Sequence, residues 1–333
     1  MKKAEVVATI LGLRQTRTAH QARGQAFAPT NIALCKYWGK RDAELNLPVT
    51  SSLSISLGNK GAQCAIERID QDSDIFSLNG QMIASHTSFA QRLAAYLNLF
   101  RTPDNFYFQV TMQMNIPVAA GLASSACGFA ALALALNDFF TWQLNKKELS
   151  ILARLGSGSA CRSVFSGFVE WHAGFTDDGM DSYSELLPDN WPAFCIGLLM
   201  IHPGEKPLSS RLAMERTAAT SPLYSAWPKK VRDDLATLKQ ALVHKDFKLL
   251  GETAESNALA MHALMLSAWP PISYTLPETL TQMQKIWELR QNGLPLYFTQ
   301  DAGPNLKLLF LKQDQAHIEK HFPKIEILQP QLS

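Results

Sequence analysis

Residues 105–114, NFYFQVTMQM, alternate apolar and polar side chains, so Phe106, Phe108, Val110, Met112 and Met114 share one face, as a half-buried strand requires. AQCAIERI at 62–69 and DIFSLNGQMI at 74–83 read as two further strands, the second broken by an Asn79-Gly80 hairpin turn. Ser85 predicts the cap of a helix running to about Leu99, with Phe89, Leu93, Tyr96, Leu97 and Phe100 on its apolar face. From about Ser124 to Thr141 the chain is rich in Ala and Leu on nearly every side, which predicts a buried helix. A short helix over 146–154 and a strand over 164–171 follow. The second half predicts a strand in AFCIGLLMI at 193–201, then helices near 209–219, 228–242, 246–266 and 277–292. Strands near 294–299, 305–312 and 324–328 complete it.

A composition shift at 187–193, LPDNWPA, joins a polar segment to an apolar strand and predicts a domain boundary there. Helices and strands mix throughout without internal repeats, so the fold class is α+β or α/β rather than a bundle or barrel. A chain of 333 residues holds one large or two medium domains, and 47% hydrophobic with 18% charged residues fits a packed globular protein. The formal net charge of +2 gives no general attraction for polyanions, and no zinc finger, basic zipper or RNA-binding signature is present, which argues against nucleic acid as a partner.

The five cysteines are scattered without C-x-x-C spacing, which predicts buried thiols and suits a reducing compartment, the cytoplasm. The eight histidines show no metal-binding spacing. No apolar run reaches the length of a membrane span. Lys2 and Lys3 precede AEVVATILGL and then Arg14, Arg17 and Arg23, but Glu5 interrupts the pattern of a signal peptide, so residues 1–24 read as an N-terminal helix or frayed extension.

Four segments carry chemistry. In QDAGPN at 300–305, Asp301 stands against a backbone with little side-chain bulk, which suits either a plain turn or a close-approaching ligand. In the loop VAAGLASSA, Gly121 and its alanines let the backbone approach an anion, while the helix that follows aims free N–H groups at the same point. Ser124 and Ser125 add hydroxyls for a phosphate oxygen or Mg²⁺; no GK[ST] follows, so this is not a Walker A loop. Lys36 and Lys40 lie four residues apart around Tyr37 and Trp38, as cations directed at an anion or as solvated lysines on a strand edge. GSGSACR offers Ser157, Ser159 and Arg162, where the arginine serves a ligand or pairs with a structural carboxylate.

Read together, IALCKYWGKRDAELNLPVTSSLSISL, PVAAGLASSACGFAAL, GSGSACRSVFSGFVEW and DAGPN resemble the diphosphomevalonate decarboxylase family of the GHMP kinase superfamily. The resemblance runs from about residue 26 to 328 and takes in ESNALAMHALMLSAWPPISY at 255–274. It implies a two-domain GHMP kinase-like fold with the active site in the cleft between the domains. Residues 25–190 would form an ATP-binding N-terminal domain of the ribosomal-protein type and 191–333 a mixed α/β C-terminal domain, with 1–24 as an extension. The implied reaction phosphorylates the tertiary 3-hydroxyl of mevalonate 5-diphosphate with ATP and Mg²⁺, then releases phosphate and carbon dioxide to give isopentenyl diphosphate. The implied partner set is that small-molecule substrate and a second copy of the chain, with no nucleic acid or membrane.

Position by position, the resemblance puts Asp301 on the catalytic aspartate, in contact with the 3-hydroxyl, and Lys36 and Arg162 on cations near the carboxylate and phosphates. Tyr37, Lys40, Ser157 and Ser159 fall on substrate-holding positions, and Ser210 with Arg211 on a serine–arginine pair that meets phosphates. Ala120, Gly121, Leu122, Ala123, Ser124 and Ser125 match the ATP loop, with Ser124 as the hydroxyl for Mg²⁺. The sequence departs from the family at Gln300, where relatives often carry an aromatic residue, and at Cys35 and Cys127, which replace small or aliphatic side chains. Alternatives on the same scaffold are a decarboxylase of the 5-monophosphate, a small-molecule kinase such as a mevalonate 3-kinase, and a binding protein without activity.

Overall fold

The computed structural model describes residues 1–16, 21–101, 106–116, 124–204 and 208–330. Its first sheet is organised by one strand, Ser52–Ile69, long enough to have different neighbours along its two ends. The early part pairs with Phe168–Trp171 (Ser52 opposite Trp171), the later part with Tyr107–Met114 (Ala62 opposite Met114). Along most of its length it also pairs antiparallel with Arg23–Cys35, in a register that shifts between Pro29 and Asn31 and again between Ala33 and Cys35. Ile75–Leu78 and Gln81–Met82 extend one edge and Ser184–Leu186 the other.

The alternating stretch behaves as its pattern predicts, with Phe108, Val110, Met112 and Met114 buried. One strand, Ser52–Ile69, extends beyond what alternation reveals. In 52–57 both the Leu/Ile and the Ser positions are buried, so the polar–apolar contrast of a half-exposed strand is absent. Two boundaries also move. The helix near 85 is Ser88–Leu97, capped by Thr87 rather than Ser85, because the Thr87 hydroxyl accepts from the Ala90 N–H at 3.3 Å. The strand expected from 164 begins at Phe168, because Gly158–Val164 wind into a 3₁₀ turn.

Helix Ser124–Phe139 is buried on most sides, as its composition predicts, and lies on the strand Arg23–Cys35. Their approach is close enough that a Cβ on Gly24 would stand 2.4 Å from the Ala135 carbonyl oxygen. The N-terminal segment forms helix Lys3–Leu11, which buries Val6, Val7, Ile10 and Leu11 in the main core and packs on helix Lys146–Gly156. Arg14 closes this contact with a 3.2 Å ion pair to Glu148.

The second sheet runs Tyr297–Gln300, Leu306–Leu311, Phe194–Leu199, Glu326–Leu328, with every pairing antiparallel. Helices Ser210–Thr220, Trp227–His244, Phe247–Leu266 and Pro277–Gln291 accompany it. Helix Phe247–Leu266 touches both Tyr297–Gln300 and Arg23–Cys35, and so brings the two sheets' functional ends to one cleft. All five cysteines are buried and free. No helix among the described residues is long and apolar enough to cross a membrane.

Candidate active site

Lys36 follows directly on strand Arg23–Cys35 and is fixed there by its own backbone N–H, which donates to Asn257 Oδ1 at 2.8 Å. Its ammonium turns inward, 2% exposed, and donates to the Ala33 carbonyl at 2.8 Å and to Asp301 Oδ1 at 2.7 Å. An ammonium this deep needs a counter-charge, because leaving one ion buried alone is strongly unfavourable.

That counter-charge sits at the tip of the hairpin between Tyr297–Gln300 and Leu306–Leu311. The corner is tied three times. The Gly303 N–H donates to the Asp301 carbonyl at 2.7 Å, Gln300 Nε2 donates to the Gly303 carbonyl at 2.9 Å, and His262 Nε2 lies 3.2 Å from the Asp301 carbonyl. Gln300, the departure from the family pattern, therefore braces the corner. On the other side of the carboxylate, the Lys307 ammonium, 1% exposed, stands 3.1 Å from Oδ2. Burial alone would push the Asp301 carboxyl up, but the Lys307 and Lys36 ammonium groups outweigh it and hold the acid well below the usual carboxylate range. Burial lowers the Lys36 pKa, with Asp301 opposing. His262, buried beside these ammonium groups, is pushed down to about 4 by burial first and then by Lys36, so its ring is neutral at pH 7.

Arg162 is buried in the 3₁₀ turn after Gly158, and Trp171 lies against its guanidinium at 5.7 Å. It donates to Asn31 Oδ1 at 3.3 Å and to the Ser52 hydroxyl. Among the described residues no carboxylate forms an ion pair with it, which removes the reading of a purely structural pair. Tyr37 packs edge-on against Trp171 at 4.7 Å and over Gly158, where a Cβ would stand 2.8 Å from its hydroxyl. That hydroxyl is buried and finds no hydrogen-bond partner among the described residues.

Asp301, Lys36, Arg162, Tyr37, Ser157 and Ser159 line a cavity of about 500 Å³. Lys40, Asn46, Ser88, Arg92, Ser124, Ser125, Ser209, Ser210 and Arg211 line it too. Lys40 Nζ donates to Asn46 Oδ1 at 2.7 Å, and Asn46 is itself anchored by its Nδ2 on the Arg154 carbonyl at 2.9 Å. Burial and the neighbouring Arg211, Lys3 and Arg92 lower the Lys40 pKa to about 8, with Glu215 opposing. Burial and Arg211 lower Arg92 to about 10. Cations that depress one another's pKa in a concave site form a ready anion receptor.

The cavity thus brings together every predicted site residue that the structure describes; Ala120, Gly121, Leu122 and Ala123 lie outside the described residues. Sequence reasoning missed Lys307, His262, Arg92, Asn31 and Asn46. Lys307 carried a signal: a lone lysine in the apolar strand LKLLFL, six residues after the acid. Arg92 and Asn46 carried none beyond polarity.

A profile described as the diphosphomevalonate decarboxylase-like N-terminal domain matches residues 28–184, and one described as the mevalonate 5-diphosphate decarboxylase C-terminal domain matches 196–329. The chain belongs to the diphosphomevalonate decarboxylase family. Diphosphomevalonate decarboxylase of Candida albicans is 36% identical over 316 residues, covering 89% of this chain and 87% of the relative. Mevalonate diphosphate decarboxylase from Staphylococcus aureus superposes with a TM-score of 0.87 at 37% identity, covering 94% of this chain and 96% of that one. MDDEF in complex with MVAPP, AMPPCP and magnesium gives 0.86 at 40% identity, covering 92% and 96%. The expected mixed α/β, GHMP kinase-like fold of the diphosphomevalonate decarboxylases is therefore this chain's fold.

Proposed function

We propose that this chain catalyses the ATP-dependent decarboxylation of mevalonate 5-diphosphate to isopentenyl diphosphate, with release of ADP, phosphate and carbon dioxide. The observation that carries the reading is the Asp301 carboxylate, clamped between Lys36 and Lys307 and 22% exposed, in a cavity also lined by Lys40, Arg92 and Arg211. The acid faces the reacting hydroxyl, and the cations receive phosphates.

A carboxylate held so far down is a weak base at equilibrium, so Asp301 acts first by orienting the 3-hydroxyl. It takes the proton late, once transfer of the phosphoryl group has made that hydroxyl acidic. Lys36, beside it, stabilises the charge on the transferring group. Arg162, whose guanidinium has neutral partners in Asn31 and Ser52, keeps its charge for the substrate carboxylate or phosphates. The unpartnered Tyr37 hydroxyl, with Ser157 and Ser159, holds the substrate in the cavity.

The residues present fit a nucleotide. Ser124 and Ser125 open a 16-residue helix at the cavity wall, where free backbone N–H groups and the helix dipole favour an anion. With ATP bound, Mg²⁺ would neutralise charge on the polyphosphate, and Ser124, which lines the cavity, is the residue that would hold it. Ala120 to Ala123 are matched to the ATP loop by resemblance. Residues 25–190 and 191–333 are read as the two domains, with 1–24 as an extension. The chain acts as a homodimer, on the family resemblance, and in the cytoplasm, a compartment its five free thiols suit.

The test supplies ATP with either the 5-diphosphate or the 5-monophosphate and follows ADP and carbon dioxide together. Release of both, with the diphosphate strongly preferred, supports the reading. ADP without carbon dioxide identifies a kinase, preference for the monophosphate identifies the related decarboxylase, and no turnover with either leaves a binding protein.

A further inference from the structure

We propose that Lys3, on the N-terminal helix Lys3–Leu11, belongs to the phosphate-binding set, joining Lys40, Arg92 and Arg211 around the diphosphoryl group bound in the cavity. The inference rests on the reading above and adds a residue that lies outside every motif of the four signature segments and outside residues 28–184 and 196–329 matched by the family profiles.

Three observations carry it. First, the helix has a fixed place. Val6, Val7, Ile10 and Leu11 are buried in the main core, the helix packs on Lys146–Gly156, and Arg14 pairs with Glu148 at 3.2 Å. Second, that supporting helix ends at the site: Ser157 and Gly158, the residues that follow it, line the cavity, and Arg92 Nη2 donates to the Gly156 carbonyl at 3.3 Å. Third, Arg14, beyond the far end of the N-terminal helix, meets Glu148 at the start of Lys146–Gly156, so the Lys3 end of the helix lies towards Ser157 and the cavity rim, near Lys40, Arg92 and Arg211.

This arrangement is unfavourable without a ligand. Lys3 is half-buried, and burial lowers its pKa. Glu44 opposes that shift, while Arg211 and Arg92 add to it. Four cations therefore act on one another's charge, with Glu44 and Glu215 as the acids that offset them. A core-anchored helix that carries a fourth positive charge into such a cluster is explained by an anion bearing more than one negative charge. Two groups in the cavity have that chemistry: the diphosphate of the substrate and the terminal phosphates of the nucleotide.

The test compares Lys3→Gln and Lys3→Arg with the unaltered full chain in steady-state kinetics, varying the diphosphate substrate and ATP separately. Loss of one charge–phosphate interaction at a partly exposed position should raise one KM about 3–10-fold with kcat nearly unchanged. Lys3→Arg should restore it, and the melting temperature should stay put because the helix's apolar face is untouched. A rise confined to the KM of the diphosphate substrate assigns Lys3 to the substrate, and one confined to the KM of ATP assigns it to the nucleotide. Inorganic pyrophosphate binding, followed by calorimetry, separates this inference from the reading it rests on. If the unaltered chain fails to turn over the diphosphate, weaker pyrophosphate binding by Lys3→Gln still supports Lys3 as a phosphate ligand. If both KM values and pyrophosphate affinity are unchanged in Lys3→Gln, Lys3 is not part of the site.

Discussion

The ammonium of Lys307 and the carboxylate of Asp301 meet at 3.1 Å on the side of the acid away from Lys36. One carboxylate oxygen therefore answers Lys36 and the other Lys307. Lys36 follows a strand of the first sheet and Lys307 lies on a strand of the second, so the position of the acid is determined from both sides of the cleft.

Lys307→Met should leave Asp301 with a single cation. Removing a neighbouring positive charge weakens the ionised form, so the carboxyl pKa rises and the acidic limb of the kcat profile moves to higher pH. Turnover should fall about tenfold or more, as a fixed charge beside the reacting group is lost. An unmoved acidic limb would show that Lys307 only packs beneath the hairpin.

Asp301→Asn keeps the size of the side chain and removes its charge and basicity. Turnover is expected to fall about 10²–10⁴-fold, with substrate affinity much less affected. ADP and carbon dioxide release should fail together. Normal phosphorylation without decarboxylation would confine Asp301 to the second step, and full activity would reject its central role. Because the variant leaves Lys36 and Lys307 without their counter-charge, its thermal midpoint should fall as well.

Lys40 should give the basic limb. With its pKa at about 8, the side chain loses its charge as pH rises through that value, and the kcat/KM for the diphosphate substrate should decline there. Lys40→Arg keeps the charge to far higher pH and should abolish the limb, at the expense of the 2.7 Å bond to Asn46. A limb that persists unchanged in Lys40→Arg belongs to another group.

His262 couples stability to pH. Its pKa is about 4 in the folded chain against an ordinary 6.5, so between those values the unfolded chain binds the extra proton. Its contribution to stability is present above 6.5, declines as pH falls from 6.5 to 4, and levels below that. Over the whole window the loss is on the order of 3 kcal/mol. Denaturant midpoints of the unaltered chain and His262→Gln, measured across this range, should differ in slope; parallel curves would remove His262 from the account.

Much of the fold was legible because alternation marks strands that bury one face, as at Tyr107–Met114, and because all-round apolarity marks a buried helix, as at Ser124–Phe139. Where Ser54 and Ser56 are as buried as Leu53 and Ile55, alternation carries no contrast, and the first part of the central strand went unread. The site was legible wherever a motif gathers its chemistry locally, as in Lys36 to Lys40 and Ser157 to Arg162. Lys307, His262 and Arg92 escaped because their roles arise from approach in space: a hairpin register, a helix crossing beneath it, and a helix facing the cavity from another edge.

The pair formed by Lys36 and Asp301 joins positions 265 residues apart, and this imposes an order on assembly. During synthesis from the N-terminus, Lys36, just after the strand Arg23–Cys35, emerges long before its acid. Until the hairpin at Asp301 arrives, that ammonium has no carboxylate to meet and must stay in water, since burying a lone charge is unfavourable by several kcal/mol. The chain around Lys36 is therefore sealed only once that hairpin is in place. Its closing marks the moment when the nascent chain first holds both charges of its centre together.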